Sequence, residues 1–463
     1  MASFTVDEII KATGAELLQK GTAGYVTAVS TDTRTIRTGE LFIALTGDNF
    51  NGHDFLTNAV SAGCAAVIIS DKSYVKKLGK NVSAFIVSDT KKALEQLAHF
   101  HRMRFRIPVI GVTGSNGKTT TKDMIYSLLS TRFKVCATQK NFNNEIGLSA
   151  TLLSMADDTD VCVVEMGMRG FGQIAELCSV ASPNIGVVTN VGTSHIGILG
   201  SQDNIGRAKK ELIDALPPDG IAILNGDDPR VNAMGDHFDG KVIEYGINGR
   251  YTVRGSDIQY GPSDTRFICT CFDEAFKAKL NLLGIHNVYD ALAATAAARV
   301  LGISPEKIQK ALSEFHNSDQ RQSILNIHGI SIVDDSYNAN PLSMEMAFRS
   351  VRQLKGNRYF LVLGDMGELG DFSEELHYKT GRKAAELGFD AVITVGTLSR
   401  LIARGALEGG ISEISSFDSC EEAAFFLEKM VHPGDVVLIK GSHYMHMEKI
   451  PALLRGAFDK DGE

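Results

Sequence analysis

A glycine-rich loop that directly follows an apolar stretch is the feature that most constrains this chain. Residues 108–120 read PVIGVTGSNGKTT, which predicts a buried strand, a loop, and a helix that opens at Thr120. Such a loop points backbone N–H groups at a phosphate chain, and the helix N-terminus adds the positive end of its dipole. Lys118 can reach the outer phosphates, and the Thr119 hydroxyl can hold a magnesium ion. The spacing is a variant of the P-loop, because Val112 stands where the strict pattern has glycine, and it predicts binding of a nucleoside triphosphate.

Length, charge and cysteine content narrow the class of protein. The 463 residues are enough for two to four domains of about 100–200 residues each. A hydrophobic fraction of 44% excludes global disorder, and a net charge of -8 argues against a nucleic-acid partner. Seven dispersed cysteines without a C-x-x-C pair are typical of a reducing compartment. Because we see neither a signal-peptide pattern nor an apolar run of about 18 residues, we expect a cytoplasmic protein without membrane insertion.

The order of predicted elements indicates an α/β chain of three domains. A small N-terminal α/β domain, residues 1–106, ends in a helix predicted over about 91–104. The central domain, residues 107–317, alternates strands with helices, which implies a mostly parallel sheet whose ligands bind beyond the carboxyl ends of the strands. The C-terminal domain, residues 318–463, is Rossmann-like but lacks the G-x-G-x-x-G dinucleotide fingerprint.

Several boundaries follow from this pattern. Residues 251–283 are predicted as short alternating strands, residues 287–301 as an alanine-rich helix, and Gly356 as the cap of the helix that follows Pro341. The predicted buried strands are 161–164, 185–189, 221–224, 330–333, 359–363, 391–395 and 436–439.

Polar residues follow the predicted strands of the central domain. Glu165 is placed to ligate magnesium directly or through water, or else is a solvated loop acid. A lone histidine such as His195 is more often a hydrogen-bonded loop residue than a metal ligand. Lys209 and Lys210 fit the solvated face of a helix over 205–216. The amide-dense loop 141–147 can bind carboxylates or phosphates, or serve only as a capped turn.

The C-terminal domain carries three polar motifs of the same kind. Residues 334–341 read DDSYNANP and can cap a helix at Pro341, but they hold more polar groups than a cap needs. Residues 364–370 and 440–443 also follow strands, so we expect all three motifs at one rim of the sheet. The sequence shows no Ser-His-Asp set, zinc-spaced His/Cys group or H-E-x-x-H motif.

Taken together, these motifs resemble the Mur ligase family over nearly the whole chain. The segments that appear in family order are 113–120, 141–147, 165–167 and 189–195. Those similar to the D-alanyl-D-alanine-adding members are 32–34, 39–42, 52–55, 335–341, 363–370 and 440–442. The resemblance implies UDP-muramoyl tripeptide and D-alanyl-D-alanine as substrates, ATP and Mg²⁺ as cofactors, and a monomer without a nucleic-acid partner.

The resemblance also implies roles for individual residues toward ATP. Asn287 would contact the adenine, Asp335 and Asn338 would lie near the ribose, and Arg321 would reach the γ-phosphate from the C-terminal domain. The loop residues implied to bind the phosphates are Gly114, Ser115, Asn116, Gly117, Lys118, Thr119 and Thr120.

Metal and substrate ligands are implied in the same way. Thr119 and Glu165 would hold one magnesium ion, while His195 and a carbamylated Lys209 would hold a second. A carbamate turns the lysine cation into an oxygen-bearing anion, which suits a hard metal. The residues implied to contact the other substrates are Asp32, Thr33, Arg34, Asn141, Asn144 and Asn340.

Four positions depart from the family pattern. Asp290 stands where the family usually has asparagine, and Asn51 replaces an aspartate. Gln320 replaces the glycine before Arg321, and His443 replaces a common arginine. The changes at Asn51 and His443 fall in segments implied to bind the nucleotide sugar and the dipeptide.

The expected chemistry is carboxylate activation. The terminal carboxylate of the tripeptide would attack the γ-phosphate to form an acyl phosphate, which the dipeptide amine then attacks. Lys118, Arg321 and two metal ions would position the groups and neutralise charge. Three alternatives remain open from sequence: a ligase that adds the third residue, a folylpolyglutamate synthase, and an ATP-driven switch module.

Overall fold

The computed structural model describes residues 2–47, 50–317 and 322–458. Three principal sheets follow one another along the chain, which confirms the predicted α/β class and its three-domain architecture. The domain limits at 106/107 and 317/318 stay predictions, and the second of them lies outside the described residues, as do Gln320 and Arg321. Across the described chain, no helix has the length and hydropathy needed to span a bilayer.

The N-terminal domain has a five-stranded sheet whose first pair is antiparallel and whose other pairs are parallel. Its strands, in spatial order, are Glu16–Gln19, Ser83–Ile86, Ala66–Ile69, Leu41–Ile43 and Val29–Ser30. Two further antiparallel strand pairs join Phe4–Thr5 with Tyr25–Val26 and Thr46–Gly47 with Phe50–Asn51. Its helices are Val6–Thr13, Leu56–Ser61 and Thr90–Arg102, and its 3₁₀ turns are Gly52–Phe55 and Lys72–Lys77.

The central domain has a nine-stranded sheet in which the first six strand pairs are parallel and the last two are antiparallel. The strands, in spatial order, are Val135–Ala137, Val161–Glu165, Val109–Thr113, Ile185–Val188, Ile221–Asn225, Lys241–Gly246, Val253–Tyr260, Thr265–Cys271 and Glu274–Leu280. The helices are Lys118–Ser130, Glu145–Leu153, Gln173–Ala181, Ile196–Leu199, Gln202–Asp214, Pro229–Asn232, Ile285–Val300 and Pro305–Glu314, with a 3₁₀ turn at Ala233–Gly235.

The C-terminal domain has a six-stranded sheet with one antiparallel edge pair. Its strands, in spatial order, are Ser323–Ile327, Ile330–Asp334, Val436–Lys440, Tyr359–Gly364, Ala391–Val395 and Glu413–Phe417. The helices are Pro341–Val351, Ser373–Glu386, Ser399–Glu408, Cys420–Met430 and Lys449–Phe458, with 3₁₀ turns at Gly370–Phe372 and His443–Met445.

The strands predicted as buried apolar runs are all present, each ending within one residue of its predicted limit. Parallel strands with both faces covered read as continuous hydrophobic segments, which explains why they can be found from sequence. One cluster of buried apolar side chains includes Phe4, Leu148 and Phe348, one from each domain. The three domains therefore pack against one another through a shared apolar core.

Two boundary predictions are wrong. The helix after the glycine loop begins at Lys118 and not at Thr120, because Gly117 takes a left-handed φ of 80° and the chain turns helical at the next residue. Gly356 does not cap the preceding helix, which ends at Val351 with Arg352 in a right-handed conformation at its C-cap. A Cβ on Gly356 would lie 2.5 Å from Cγ2 of Val436, so this glycine permits close packing.

Candidate active site

The glycine loop lies at the carboxyl edge of the central sheet, between the strands Val161–Glu165 and Ile185–Val188. A Cβ on Gly114 would lie 1.8 Å from Oγ1 of Thr189, so a side chain cannot fit there. The Ser115 hydroxyl accepts a hydrogen bond of 2.8 Å from the Gly192 amide, which ties the loop to the segment after the next strand. These contacts with the segment after the strand Ile185–Val188 therefore fix the conformation of the glycine loop.

The Lys118 ammonium group lies over the mouth of the loop. Its Nζ donates to the carbonyl oxygens of Gly114 at 2.7 Å and Ser115 at 3.3 Å. Because the N-terminus of the helix Lys118–Ser130 and this cation lie together at the loop, the loop is suited to a phosphate chain.

Oxygen donors lie directly beside the loop. The Thr119 hydroxyl donates to Oε2 of Glu165 at 2.8 Å, and the Asn143 amide donates to Oε1 of the same carboxylate at 2.8 Å. The Glu165 side chain is 1% exposed and ends its strand, as predicted. Hydroxyl and carboxylate oxygens are the donors that Mg²⁺ prefers, and it usually completes its shell with phosphates and water. Among the described residues, no group of three or more His, Cys, Asp or Glu side chains is placed to hold a metal ion.

His195 connects the central and C-terminal domains. It stands just before the short helix Ile196–Leu199 with a left-handed φ of 64°. Its Nδ1 lies 2.6 Å from Oε2 of Glu368, and Nε of Arg169 lies 3.2 Å from the other oxygen of that carboxylate. The close approach of the His195 ring lowers the pKa of Glu368.

Lys209 and its neighbour Lys210 have opposite environments. The Lys209 side chain is buried on the helix Gln202–Asp214, so the prediction that it lies on a solvated helix face is wrong. Burial together with the charge of Lys118 lowers its pKa well below the usual value. No carboxylate among the described residues lies within 4.0 Å of its Nζ. Lys210 is instead paired with Asp214 at the surface. Burial favours the neutral form of this amine, and the neutral form is the one that can react with carbon dioxide to give a carbamate.

Lys440 is a buried lysine at the end of the strand Val436–Lys440, at the rim of the C-terminal sheet. The Lys440 side chain is 3% exposed, and its Nζ donates to Oδ2 of Asp335 at 2.6 Å and to the carbonyl oxygen of Asn338 at 2.9 Å. Asp335 and Asn338 were expected near a ribose, whereas Lys440 was not among the candidate residues. The motif 440–443 was the signal that could have identified it.

Asn287 lies at the start of the helix Ile285–Val300, close to this rim. Its side chain is 2% exposed and donates to the Leu283 carbonyl oxygen at 2.7 Å and to Oε1 of Gln322 at 3.2 Å. Burial lowers the pKa of the adjacent His286 to about 4, even though Asp335 opposes the shift. This histidine is therefore neutral at physiological pH.

Asn340 joins the C-terminal domain to the glycine loop itself. Its Nδ2 donates to Oδ1 of Asn116 at 2.7 Å and to the Ser194 hydroxyl at 2.9 Å. Its Oδ1 accepts from the Ser343 amide at 2.9 Å, which caps the helix Pro341–Val351. One side chain thus begins a helix and contacts the phosphate loop across the domain interface.

The expected substrate residues of the N-terminal domain and the amide loop have local contacts in the described structure. Asp32 and Arg34 form a bidentate pair with each other on the surface, and that pairing lowers the pKa of Asp32 to about 2. Thr33 lies between them. Asn141 is exposed, and Asn144 caps the helix Glu145–Leu153 through its Oδ1. In the amide loop it is Asn143 that reaches Glu165, a choice the sequence did not indicate.

Three departures from the family pattern have local structural roles. Asp290 accepts from the Thr121 hydroxyl at 3.0 Å and lies directly beneath Gly117. Asn51 caps a short 3₁₀ turn by accepting from the His53 amide at 3.1 Å. The His443 ring stacks on Tyr337 with ring centroids 5.8 Å apart.

Comparison with known proteins identifies relatives over almost the full chain. Models of the Mur ligase middle domain, the Mur ligase glutamate ligase domain and the Mur ligase family catalytic domain match residues 112–298, 320–443 and 25–104, respectively. A UDP-N-acetylmuramoyl-tripeptide--D-alanyl-D-alanine ligase from Bacillus subtilis (strain 168) is 38% identical over 448 residues, with 96% of each chain covered. A crystal structure of MurF from Acinetobacter baumannii is similar with a TM-score of 0.91 at 31% identity, covering 98% of this chain and 99% of that one. A MurF ligase from Thermotoga maritima in complex with ADP is similar with a TM-score of 0.84 at 28% identity, covering 94% and 98%.

Proposed function

The chain belongs to the Mur ligase family, and from that membership we infer how its three domains act together. It is an ATP-dependent, ADP-forming ligase that adds D-alanyl-D-alanine to a UDP-N-acetylmuramoyl tripeptide and so makes the pentapeptide precursor of peptidoglycan. Its substrates are small molecules. We also propose that the protein is cytoplasmic and monomeric.

One observation carries the assignment of the site: Asn340 of the C-terminal domain contacts Asn116 of the glycine loop. Asn287 of the central domain contacts Gln322 of the C-terminal domain, and Asp335 and Asn338 both contact Lys440. The glycine loop would bind the phosphates, and these residues would bind the nucleoside. ATP therefore lies between the central and C-terminal domains, with adenine near Asn287 and ribose near Asp335 and Asn338. Arg321, which the resemblance places at the γ-phosphate, lies outside the described residues.

The chain's own groups position and neutralise the reacting atoms. Lys118 and the loop amides bind the β- and γ-phosphates, and Lys118 is drawn off the loop carbonyls when they arrive. Thr119 and Glu165 would hold one Mg²⁺, and His195 with a carbamylated Lys209 would hold a second. The metal ions supply neutralisation of phosphate charge when they are bound.

The reaction begins when the terminal carboxylate of the tripeptide attacks the γ-phosphorus, which forms an acyl phosphate and releases ADP. The dipeptide amine then attacks the acyl carbon, loses a proton and expels inorganic phosphate. Packing of the C-terminal domain over the loop excludes water that would hydrolyse the acyl phosphate. Asp32, Thr33, Arg34, Asn141 and Asn144 are proposed contacts of the nucleotide-sugar peptide.

The test is an acceptor screen with ADP detection. We expect wild-type ADP release to depend on D-alanyl-D-alanine together with a UDP-muramoyl tripeptide, and not on single amino acids. Lys118→Ala should lower that rate by about 100-fold or more, because it removes the cation at the transferred phosphate. The matched control, Lys210→Ala, removes a surface lysine paired with Asp214 and should leave the rate within about twofold. Release driven by an amino acid, or by a macromolecule alone, would contradict the proposal.

A further inference from the structure

Two cysteines lie side by side on neighbouring strands at one edge of the central sheet. Cys136 is on the edge strand Val135–Ala137 and is paired in register with Cys162 of the parallel strand Val161–Glu165. Both side chains pack with the apolar cluster that contains Leu148, so the two thiols share one face of the sheet.

The separation of this pair is within the range that a disulfide bond can bridge. Neighbouring strands lie about 4.8 Å apart, and bridged cysteines have Cα atoms about 4.4–6.8 Å apart. The Cβ atoms of bridged cysteines are closer, at about 3.8 Å, so the bond would draw the two strands together by about 1 Å at this point. Cys269 and Cys271 are two residues apart on one strand, which places their Cα atoms about 6.8 Å apart, at the limit of that range.

Cys136 is also the thiol that a small oxidant can reach. It is partly exposed, whereas the other six cysteines are buried. As a thiol it donates to the Thr151 carbonyl oxygen at 3.5 Å, and as a thiolate it can accept from the Ser154 hydroxyl, also 3.5 Å away. The close approach of the two thiols lowers the pKa of Cys136 and raises the pKa of Cys162, so the negative charge rests on Cys136. Partial exposure and a stabilised thiolate are typical of reactive cysteines.

The remaining five thiols have the opposite environment. Burial raises the pKa of each of them and keeps it protonated, which applies to Cys64, Cys178, Cys269, Cys271 and Cys420. The buried guanidinium of Arg102 favours the thiolate form of Cys162, although the pKa of that thiol remains raised. Oxidation is therefore expected at Cys136 before any other cysteine.

The two strands also carry groups of the proposed metal site. Thr138 follows Cys136 by two residues, and its buried hydroxyl accepts from the Glu165 amide at 3.0 Å. Glu165 itself ends the strand that contains Cys162. A shift of about 1 Å between the strands would move this carboxylate relative to Thr119, and a displacement of that size can cost up to about 100-fold in rate.

We propose that Cys136 and Cys162 form a peroxide-sensitive thiol pair whose disulfide slows the ligase. The Cys136 thiolate attacks one oxygen of hydrogen peroxide, which breaks the O–O bond, releases hydroxide and leaves a sulfenic acid. The Cys162 thiol then attacks that sulfur, the S–O bond breaks, and the hydroxyl group leaves as water with the Cys162 proton. The two sulfurs together lose two electrons, which the peroxide gains, and a dithiol reductant reverses the change.

Mass spectrometry of the full-length protein, first reduced and then treated with hydrogen peroxide, tests the bond itself. We expect the wild type to lose two hydrogen atoms and to give a linked peptide pair that contains Cys136 and Cys162. Cys162→Ala should instead gain oxygen at Cys136, because no resolving thiol is left, and Cys136→Ser should stay unmodified. The matched control, Cys64→Ala, removes a buried thiol of the N-terminal domain and should behave as wild type. Absence of a linked pair, or linkage of other cysteines, would overturn the inference.

ADP release measures the effect on rate, which rests on the proposed function. Peroxide should lower the wild-type rate by about tenfold and dithiothreitol should restore it, whereas Cys136→Ser should keep its rate within about twofold with or without peroxide. A linked pair with an unchanged rate would show that the bond does not regulate the enzyme. Because the mass measurement does not depend on ligase activity, a failure of the proposed function would be seen in the rate alone.

Discussion

Replacing Asn340 with aspartate separates its two roles. In Asn340→Asp the remaining Oδ1 still accepts from the Ser343 amide, so the helix Pro341–Val351 keeps its cap. The substitution removes Nδ2, which donates to Asn116 at 2.7 Å and to Ser194 at 2.9 Å. The two hydrogen bonds that Nδ2 donates to the central domain, one to the glycine loop and one to Ser194, are therefore lost without unfolding the helix. The longer bond of 3.3 Å that Asn116 donates to Oδ1 remains possible.

The expected cost follows from those two bonds. Each contributes about 1 kcal/mol, so the domain interface at the loop loses about 2 kcal/mol, or roughly 30-fold in kcat/KM for ATP. The new carboxylate also faces the oxygen of Asn116, which adds repulsion unless that amide turns over. Asn340→Ala should show the same kinetic loss and, because it also removes the cap, about 1 kcal/mol less stability.

Coupled ADP-release kinetics and thermal unfolding together test this reasoning. We expect Asn340→Asp to unfold within a few degrees of the wild type but to use ATP poorly, and Asn340→Ala to be affected in both assays. If Asn340→Asp retains wild-type kcat/KM for ATP while folding normally, the contact between Asn340 and the loop does not contribute to catalysis.

Three other outcomes follow from the structure. Gly117→Ala should abolish ATP binding measured by fluorescence titration, because Gly117 has a φ of 80° and a Cβ would lie 2.3 Å from Oδ1 of Asp290; retained affinity would refute this. The pKa of buried His286 falls from 6.5 to about 4 in the folded state, so this residue's contribution to stability is complete above pH 6.5 and is lost as the pH falls toward 4. That contribution is roughly 3 kcal/mol, and His286→Asn should flatten the pH dependence of urea unfolding in this window. Lys440→Met should cost about 3 kcal/mol by leaving Asp335 without its buried partner, and a second change, Asp335→Asn, should recover most of it in the same unfolding assay.

Much of the fold was accessible from the sequence because its central strands are buried on both faces. Val161–Glu165 and Val436–Lys440 are continuous apolar runs and were found almost to the residue. The edge strands Val135–Ala137 and Glu413–Phe417 are short and only partly buried, so neither periodicity nor hydropathy indicates them. The start of the helix at Lys118 depended on the conformation of Gly117, which sequence alone did not fix.

The residues of the candidate site also differ in whether the sequence can predict them. Glu165, His195 and Asp335 follow parallel strands, and such positions can be predicted because carboxyl ends share one edge of a sheet. Asn143 and Glu368 depend instead on a loop folding inward and on two domains meeting, and no local pattern encodes either event.

The measurement that bears most directly on the mechanism follows an oxygen atom. Tripeptide substrate labelled with ¹⁸O in its terminal carboxylate is converted with D-alanyl-D-alanine and ATP, and the released phosphate is analysed by mass spectrometry. If the carboxylate attacks the γ-phosphate, one labelled oxygen leaves with each phosphate. Unlabelled phosphate at full product yield would show that no acyl phosphate forms between the glycine loop and the C-terminal domain.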